Sequence, residues 1–223
     1  MNFKLFFEAI IKYVIGVILV GLLLFIPAGT LKYLNGWLFM YLLFIPMFIA
    51  GIIMMIKSPN LLKERLDVKE KEGKQKKVVK ASALMFILGF IVAGLNYRYS
   101  WIKLPNIVVI VSSIIFILSY VMYAVVLKQN AFLARTIKVD KEQKLITTGL
   151  YSIVRHPMYT ATIFLFLSMP LILNSFISFI IFLIYPFIII TRLNNEEEVL
   201  EKELKGYKKY KKKVKYKLIP FIW

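Results

Sequence analysis

Cysteine is absent from this chain of 223 residues, and histidine occurs once, at His156. Without thiols, neither a disulfide framework nor a cysteine nucleophile nor a thiolate metal site can form. A transition metal would have to bind one imidazole and carboxylates, so we expect no dedicated zinc site or other metal site. Acidic residues are also scarce, since 12 Asp and Glu stand against 30 Lys and Arg.

Long hydrophobic runs dominate the rest of the chain. Hydrophobic residues make up 60% of it and the mean hydropathy is +0.73, well above the composition of soluble globular proteins. Several uncharged runs are long enough to cross about 30 Å of hydrocarbon. We therefore predict an all-α fold, a polytopic membrane helical bundle. The six predicted spans are 9–31, 36–56, 81–99, 107–127, 157–173 and 175–191.

The predicted spans form one membrane domain with two parts. Residues 1–127 hold the four N-terminal spans. Residues 128–223 hold a polar loop, a helical hairpin and a C-terminal cytoplasmic helix. Because the first apolar run shows no small-residue cleavage site, we interpret it as a retained span and not as a signal peptide.

The net charge of +18 is concentrated in three segments. Residues 57–80, 128–156 and 192–217 hold nine, six and ten of the Lys and Arg residues. This asymmetry is typical of cytoplasmic loops, so we expect both termini in the cytoplasm of a bacterial-type cell membrane. Basic segments next to a membrane attract anionic lipids. Nucleic-acid binding is not expected, because no basic groove interleaved with aromatic residues is visible.

Two polar clusters lie at the ends of the last predicted hairpin. The first, Gly149 to Tyr159, contains His156 and precedes span five, and the second, Arg192 to Glu197, follows span six. The step at Asn174-Ser175 leaves almost no loop between the two spans. A tight hairpin would bring both clusters to the same membrane face, so the sequence predicts a site there.

These clusters carry a family resemblance. The patterns are G-x-Y-x-x-x-R-H-P-x-Y from Gly149, R-x-x-x-E-E from Arg192 and G-x-x-x-Y from Gly206. Together they resemble the isoprenylcysteine carboxyl methyltransferase family of integral-membrane enzymes that use S-adenosyl-L-methionine. The resemblance spans roughly 130–210 and a terminal 218–220, whereas the first hundred residues share only a run of apolar spans. The motif indicates a membrane methyltransferase and does not specify a prenylated protein as the substrate.

The resemblance implies roles for the second cluster. In the family the first Glu of R-x-x-x-E-E contacts the cofactor and the Arg contacts the acceptor carboxylate. This assigns Glu196 to the cofactor and Arg192 to the acceptor, with Glu197 in the catalytic set as a supporting residue. A third acid, Glu198, leaves a register shifted by one residue open. Acidic residues in a helix's first turns also complement its dipole, which is an alternative reason for both acids.

The first cluster would hold the cofactor. Pro157 suits the first turn of a helix, whose free amides would bind the methionine carboxylate. Tyr151 and Tyr159 would flank the adenine or close the pocket with their rings, although tyrosine is also common at membrane interfaces. His156 is assigned to cofactor binding, because a carboxylate acceptor is ionised near pH 7 and needs no base. General-base catalysis by His156 is the alternative.

An upstream segment also aligns with the family. Gln143, Leu145 and Ile146 correspond to a family segment that lies along the cofactor, and the polar start Asn130-x-Phe132-x-x-Arg135-Thr136 resembles a bacterial variant of the same entry region. A plain amphipathic connection explains this stretch equally well. Gly149 is expected to form a turn with a close backbone approach.

The function that these expectations predict is transfer of a methyl group to a lipophilic or lipidated acceptor, most simply a carboxylate. Two other enzymes remain open: a membrane lipid amine methyltransferase and an NADPH-dependent sterol-reductase-like enzyme. A membrane scaffold or transporter is the non-enzyme alternative. The nearly complete lack of charged residues within spans one to four disfavours a transporter.

Overall fold

The computed structural model describes residues 3–67, 73–130 and 143–223. These residues form α-helices, one 3-10 turn over Gly149–Ser152 and connecting loops, without a β-strand in the described ranges. The helices are α1 (Phe3–Ala28), α2 (Leu34–Lys57), α3 (Pro59–Leu66), α4 (Gly73–Tyr99), α5 (Asn106–Gln129), α6 (Pro157–Ile172), α7 (Phe176–Phe182), α8 (Tyr185–Glu203) and α9 (Tyr207–Lys213).

Among the described residues, five stretches are long and apolar enough to cross a membrane: Phe3–Ala28, Leu34–Lys57, Gln75–Tyr99, Asn106–Gln129 and Phe176–Glu203. Large apolar side chains remain exposed along their outer faces, as expected of surfaces that contact lipid. The prediction of an all-α polytopic membrane bundle is confirmed. The first four predicted spans correspond to α1, α2, α4 and α5.

The last two spans differ from the prediction in their boundaries. The sixteen residues of α6 extend about 24 Å, less than the full hydrocarbon thickness. Predicted span six (175–191) is instead α7 followed by α8. Pro186 explains the interruption between them, because it lacks the N–H that would donate to the Phe182 carbonyl. Helix α8 then runs on to Glu203, twelve residues beyond the predicted end.

Aromatic side chains fill the centre of the bundle. Phe86 of α4 makes edge-on contacts with Phe166 of α6 and Phe182 of α7. Phe39 of α2 and Phe116 of α5 are fully buried and also in contact. These rings fix the α6–α8 hairpin against the N-terminal helices, and therefore fix both of its ends.

The turn of the hairpin is held by neutral side chains. Asn174 has a φ of 56°, and its side-chain oxygen accepts a bond from the Leu104 amide at 2.6 Å. Asn96 donates to the Asn174 carbonyl at 3.1 Å, and Asn35 donates to the Ile172 carbonyl at 2.9 Å. The predicted tight connection at Asn174-Ser175 is thus confirmed, and the carbonyls of Ile172 and Asn174 accept bonds from side-chain amides.

Candidate functional site

The chain enters α6 through a tight turn at Gly149. This glycine has a φ of 62°, and a Cβ atom there would lie 2.2 Å from the side-chain nitrogen of Gln129. Gln129 accepts a bond from the Leu150 amide at 3.2 Å. A residue with a side chain would be strained at this φ, and its Cβ would force the Gln129 side chain to move. The expectation of a close backbone approach at Gly149 is confirmed, and it fixes where the motif begins.

The residues before α6 pair with the end of the chain. The Arg155 amide donates to the Tyr216 carbonyl at 2.9 Å, and the His156 amide donates to the Lys217 carbonyl at 3.0 Å. The Thr160 hydroxyl donates to the Leu218 carbonyl at 2.7 Å. We call residues 214–218 the C-terminal strap. It lies along the entrance of α6 and covers its main chain.

This pairing corrects one expectation. Pro157 does begin α6, but four of the amides around it already donate within the protein. Those of Arg155 and His156 donate to the C-terminal strap, and those of Tyr159 and Thr160 donate to the His156 carbonyl. The strap carbonyls, which sequence reasoning did not place here, accept from the two residues before Pro157. Of the first-turn amides that were assigned to the methionine carboxylate, that of Tyr159 is already bonded.

A buried ion pair joins α6, α8 and the C-terminal strap. Arg155 donates from Nε to Glu197 Oε1 at 2.6 Å, and the two side chains are only 4% and 5% exposed. Arg155 Nη1 also donates to the Val214 and Lys215 carbonyls, both at 2.8 Å. A buried charge is stable only when it is paired and hydrogen-bonded. Arg155 meets both conditions by joining three separate segments.

Glu197 gathers further donors. Its Oε1 lies 3.2 Å from His156 Nε2 and accepts a bond from the Tyr207 hydroxyl at 3.3 Å. Its Oε2 lies 3.7 Å from Lys211 Nζ and 3.6 Å from Lys217 Nζ. Burial, together with the Glu197 charge, raises the pKa of Tyr207 well above its ordinary value. The Tyr207 hydroxyl therefore stays protonated and donates.

The neighbouring acid faces a different set of groups. Tyr159 donates to Glu196 Oε2, and Arg192 Nε donates to the Tyr159 oxygen at 3.0 Å. His156 Nδ1 lies 4.0 Å from Glu196 Oε1, and the Glu196 side chain is 20% exposed. Both polar clusters therefore meet, as the hairpin argument predicts.

The same geometry bears on the register of the R-x-x-x-E-E motif and on the helix-dipole explanation of its acids. Glu198 is exposed, whereas Glu196 and Glu197 contact the α6 entrance, which favours the motif register that begins at Arg192; the roles that this register assigns stay predictions. The helix-dipole explanation is wrong. Because α8 begins at Tyr185, both acids lie in its C-terminal half, where a negative charge opposes the dipole.

Tyr151 lies at the edge of this cluster and is 8% exposed. Its hydroxyl accepts a bond from Asn130 Nδ2 at 3.1 Å, and its carbonyl accepts one from the Tyr210 hydroxyl at 2.6 Å. Burial raises the pKa of Tyr151 to about 12, with the Glu196 charge acting in the same direction and the Asn130 bond opposing it. Tyr151 is thus a neutral side chain in electrostatic contact with Glu196.

The upstream segment approaches the site through an apolar contact. Leu145 packs with Leu200 against a small core of Leu204, Tyr207, Tyr210 and Val214. Gln143 and Ile146 are half-buried on the same stretch. Phe132, Arg135 and Thr136 lie outside the described residues. The roles of Gln143, Leu145 and Ile146 at a cofactor remain predictions.

Several residues of the cluster were not assigned roles from the sequence. Arg155 lies within the quoted motif and was passed over, although a motif arginine beside the single histidine was a usable signal. Tyr207, Lys211 and Lys217 lie in a lysine-rich tail that has the composition of a solvated helix. Gly206 gave an indirect signal. Its φ of 89° allows the chain to turn from α8 into α9 and return Tyr207 towards Glu197.

A known family matches slightly less than half of the chain. The model of the Isoprenylcysteine carboxyl methyltransferase (ICMT) family matches residues 107–202. This range includes α5, the α6 entrance and the acids of α8, and it stops before α9 and the C-terminal strap. No curated protein matches the chain. The family match, with the apolar helices, supports a methyltransferase embedded in a membrane. Over residues 107–202 the chain is similar to the isoprenylcysteine carboxyl methyltransferase family.

Proposed function

We propose that the protein transfers a methyl group from S-adenosyl-L-methionine to a lipophilic acceptor, with a carboxylate as the accepting group. One observation carries the proposal: the polar entrance of α6 and the polar segment of α8 meet, with His156 Nδ1 4.0 Å from Glu196 Oε1. Ionisable residues gathered beside a membrane bundle indicate a functional site by default, and two clusters that are distant in the sequence meet here.

The side chains present suit this cofactor. Glu196 is a partly exposed carboxylate that can accept hydrogen bonds from an ammonium or from ribose hydroxyls. Tyr151 and Tyr159 offer neutral aromatic rings close to it. Bound there, the cofactor would supply an electrophilic methyl group. Leu145, Ile146 and Gln143 would border the site, and His156 and Pro157 would complete it at the α6 entrance.

Arg192 is the residue that we assign to the acceptor. Its Nε donates to the Tyr159 oxygen, and the side chain is half-buried where the apolar part of α8 ends. A guanidinium pairs well with a carboxylate, particularly where water is partly excluded. The chain from Arg192 through Tyr159 to Glu196 would link the acceptor position to the cofactor position. Arg192 would thereby hold the acceptor in line for transfer.

The location of the site fits a reaction between two phases. A water-soluble cofactor would enter from the cytoplasm, to which the positive-inside pattern assigns this face. A lipophilic acceptor would arrive laterally from the membrane between helices. Positioning of the two reactants would be the main task of the enzyme, because a carboxylate acceptor needs no proton removed.

Calorimetric titration with S-adenosylhomocysteine tests the cofactor assignment. Glu196→Ala should weaken binding by at least about tenfold, which corresponds to about 1.4 kcal/mol, and Glu196→Gln should show a smaller loss in the same direction. Glu198→Ala, one residue further on the exposed face of α8, is the matched control and should bind normally. Full affinity in a folded Glu196→Ala protein would contradict the assignment.

Incubation with labelled cofactor and a total lipid extract tests the acceptor. A carboxylate acceptor gives a methyl ester that base hydrolyses, whereas a lipid amine gives a base-stable product. Arg192→Lys should lose transfer while retaining S-adenosylhomocysteine affinity, since lysine cannot make the two-pronged contact. Binding of NADPH in place of S-adenosylhomocysteine would favour the reductase alternative and reject the proposal.

A further inference from the structure

We infer that Glu197 is a positioning residue that keeps the proton of the His156 ring on Nε2 in the ring's neutral form. Nδ1 and Glu196 then form a pair of acceptors for an N–H group of the ligand. The inference rests on the proposed function, because the ligand it concerns is the methyl donor. It names the chemistry that the pair would recognise: a primary ammonium or an exocyclic amine.

Glu197 is surrounded by positively charged side chains. Arg155 donates to its Oε1 at 2.6 Å within the protein interior. Lys211 and Lys217 approach Oε2 at 3.7 and 3.6 Å. Three cations around one carboxyl group favour its ionised form. An ionised carboxylate accepts hydrogen bonds and donates none.

The contact with Glu197 determines which nitrogen of the His156 imidazole carries the proton. His156 Nε2 lies 3.2 Å from Glu197 Oε1, within hydrogen-bond distance. Since the carboxylate only accepts, the Nε2 atom must carry the proton. The Tyr207 hydroxyl lies 3.5 Å from Nε2 and 3.3 Å from the same oxygen. It donates its one proton to Glu197, so it does not donate to Nε2. In the neutral ring the lone pair then resides on Nδ1.

The other side of the His156 ring faces Tyr159 and Glu196. His156 and Tyr159 are stacked, with ring centroids 5.8 Å apart and planes 23° from parallel. Tyr159 donates to Glu196 Oε2, which leaves Oε1 as the oxygen nearer to Nδ1. The separation of 4.0 Å between Nδ1 and Oε1 is too long for a direct hydrogen bond. Two acceptors at this spacing can be bridged by one nitrogen that carries at least two hydrogens.

The methyl donor has two such nitrogens. One is the α-ammonium of its methionine part and the other is the exocyclic amine of its adenine. Both present more than one N–H, and the ammonium gains in addition from the Glu196 charge. The acceptor pair is therefore suited to either group, and ligand analogues can identify which one it contacts.

Nuclear magnetic resonance with nitrogen-15 histidine tests the tautomer directly, since the chain has a single histidine. At alkaline pH, where the ring is neutral, the unliganded protein should show a protonated Nε2 and an unprotonated Nδ1. Glu197→Gln should shift the ring towards a mixture of tautomers, because a glutamine amide can also donate. A wild-type ring protonated at Nδ1, or a Glu197→Gln ring unchanged from wild type, would overturn the inference.

Two further variants keep this test decisive. Glu198→Gln, on the exposed side of α8, should leave the histidine signals unchanged. Tyr207→Phe removes a donor but keeps the carboxylate, so the Nε2–H form should persist in it. If Glu197→Gln fails to fold, loss of the Nε2–H form in Tyr207→Phe would contradict the argument that the carboxylate alone sets the tautomer.

Ligand analogues test the acceptor pair. Glu196→Gln should weaken S-adenosylhomocysteine binding several-fold, yet leave unchanged the binding of an analogue that lacks the contacted nitrogen. The two candidates are S-inosylhomocysteine and the analogue without the α-amino group. An equal loss for all three ligands would overturn the inference. A wild-type protein that binds none of them would reject the proposed function, whereas the histidine tautomer would stand independently.

Discussion

Both ends of the α6–α8 hairpin are polar, but the turn is held by neutral side chains and the open end by charged ones. At the turn, Asn96 and Asn174 bind main-chain groups through neutral amides. At the open end, Arg155 and Glu197 form a buried ion pair that joins other charged side chains. The amides satisfy backbone that a membrane cannot solvate. The ion pair buries charge at a position where apolar side chains could have packed instead.

The difference separates a structural closure from a site. Neutral side chains can satisfy main-chain groups at little electrostatic cost, as the asparagines do. Burying ions is costly even when they are paired, and apolar residues of similar size are often as stable. Charged groups retained at one end and not at the other therefore indicate a task other than folding. That task is the one proposed for Glu196, His156 and Arg192.

Removal of one member of the ion pair should have the largest effect. Arg155→Ala would leave Glu197 buried without its closest partner and would release the C-terminal strap from Nη1. We expect a loss of about 3–5 kcal/mol in the free energy of unfolding, measured by denaturation of the purified protein in detergent micelles. An Arg155→Ala protein as stable as wild type would remove the distinction between the two ends.

Replacement of both members should separate stability from function. In Arg155→Met with Glu197→Leu, no unpaired charge remains, so most of the stability lost by the single variant should return. Binding of S-adenosylhomocysteine should stay weak, because His156 has lost the group that orients it. Recovery of both stability and binding would show that the charged end is only a structural closure.

Substitution at the turn should cost less and leave binding intact. Asn174→Ala removes the acceptor for the Leu104 amide and places alanine at a positive φ. An unsatisfied amide costs about 1–3 kcal/mol. Asn174→Gly keeps the backbone freedom and loses the same acceptor, so the difference between the two variants measures the strain. Reduced S-adenosylhomocysteine affinity in either folded variant would contradict a purely structural role for the turn.

The hairpin and its two motifs were predictable because they depend on local features. Apolar run length located the spans, the short Asn174-Ser175 step indicated the tight turn, and motif spacing identified Glu196. The end of α8 was not predictable from hydropathy. A helix that leaves the hydrocarbon changes its solvent but keeps its internal hydrogen bonds, so the polar residues after Arg192 continue α8 to Glu203.

The C-terminal strap was not predictable for a different reason. Its contacts are mostly main-chain carbonyls of residues 214–218 that accept from Arg155, His156 and Thr160. Main-chain carbonyls are the same at every position and leave no pattern in the sequence. The sequence predicts a C-terminal cytoplasmic helix around Tyr207 and Tyr210 and includes Tyr210 in the family motif, but the lysine-rich composition gives no sign of the strap. Only the folded arrangement reveals that these two tyrosines turn inward.

The smallest effect should come from Tyr210→Phe, which tests how α9 is fixed to the charged end. The variant loses the bond from the Tyr210 hydroxyl to the Tyr151 carbonyl, which should cost about 0.5–1.5 kcal/mol at neutral pH. Burial raises the pKa of Tyr210 above its ordinary value. The unfolded chain therefore releases this proton first, near pH 10, and the stability that the hydroxyl contributes falls as the pH rises towards the folded pKa. The difference in unfolding free energy between wild type and Tyr210→Phe should therefore have its full value at about pH 8. It should shrink above about pH 10. A difference that grows with pH would show that Tyr210 does not hold its proton in the folded state.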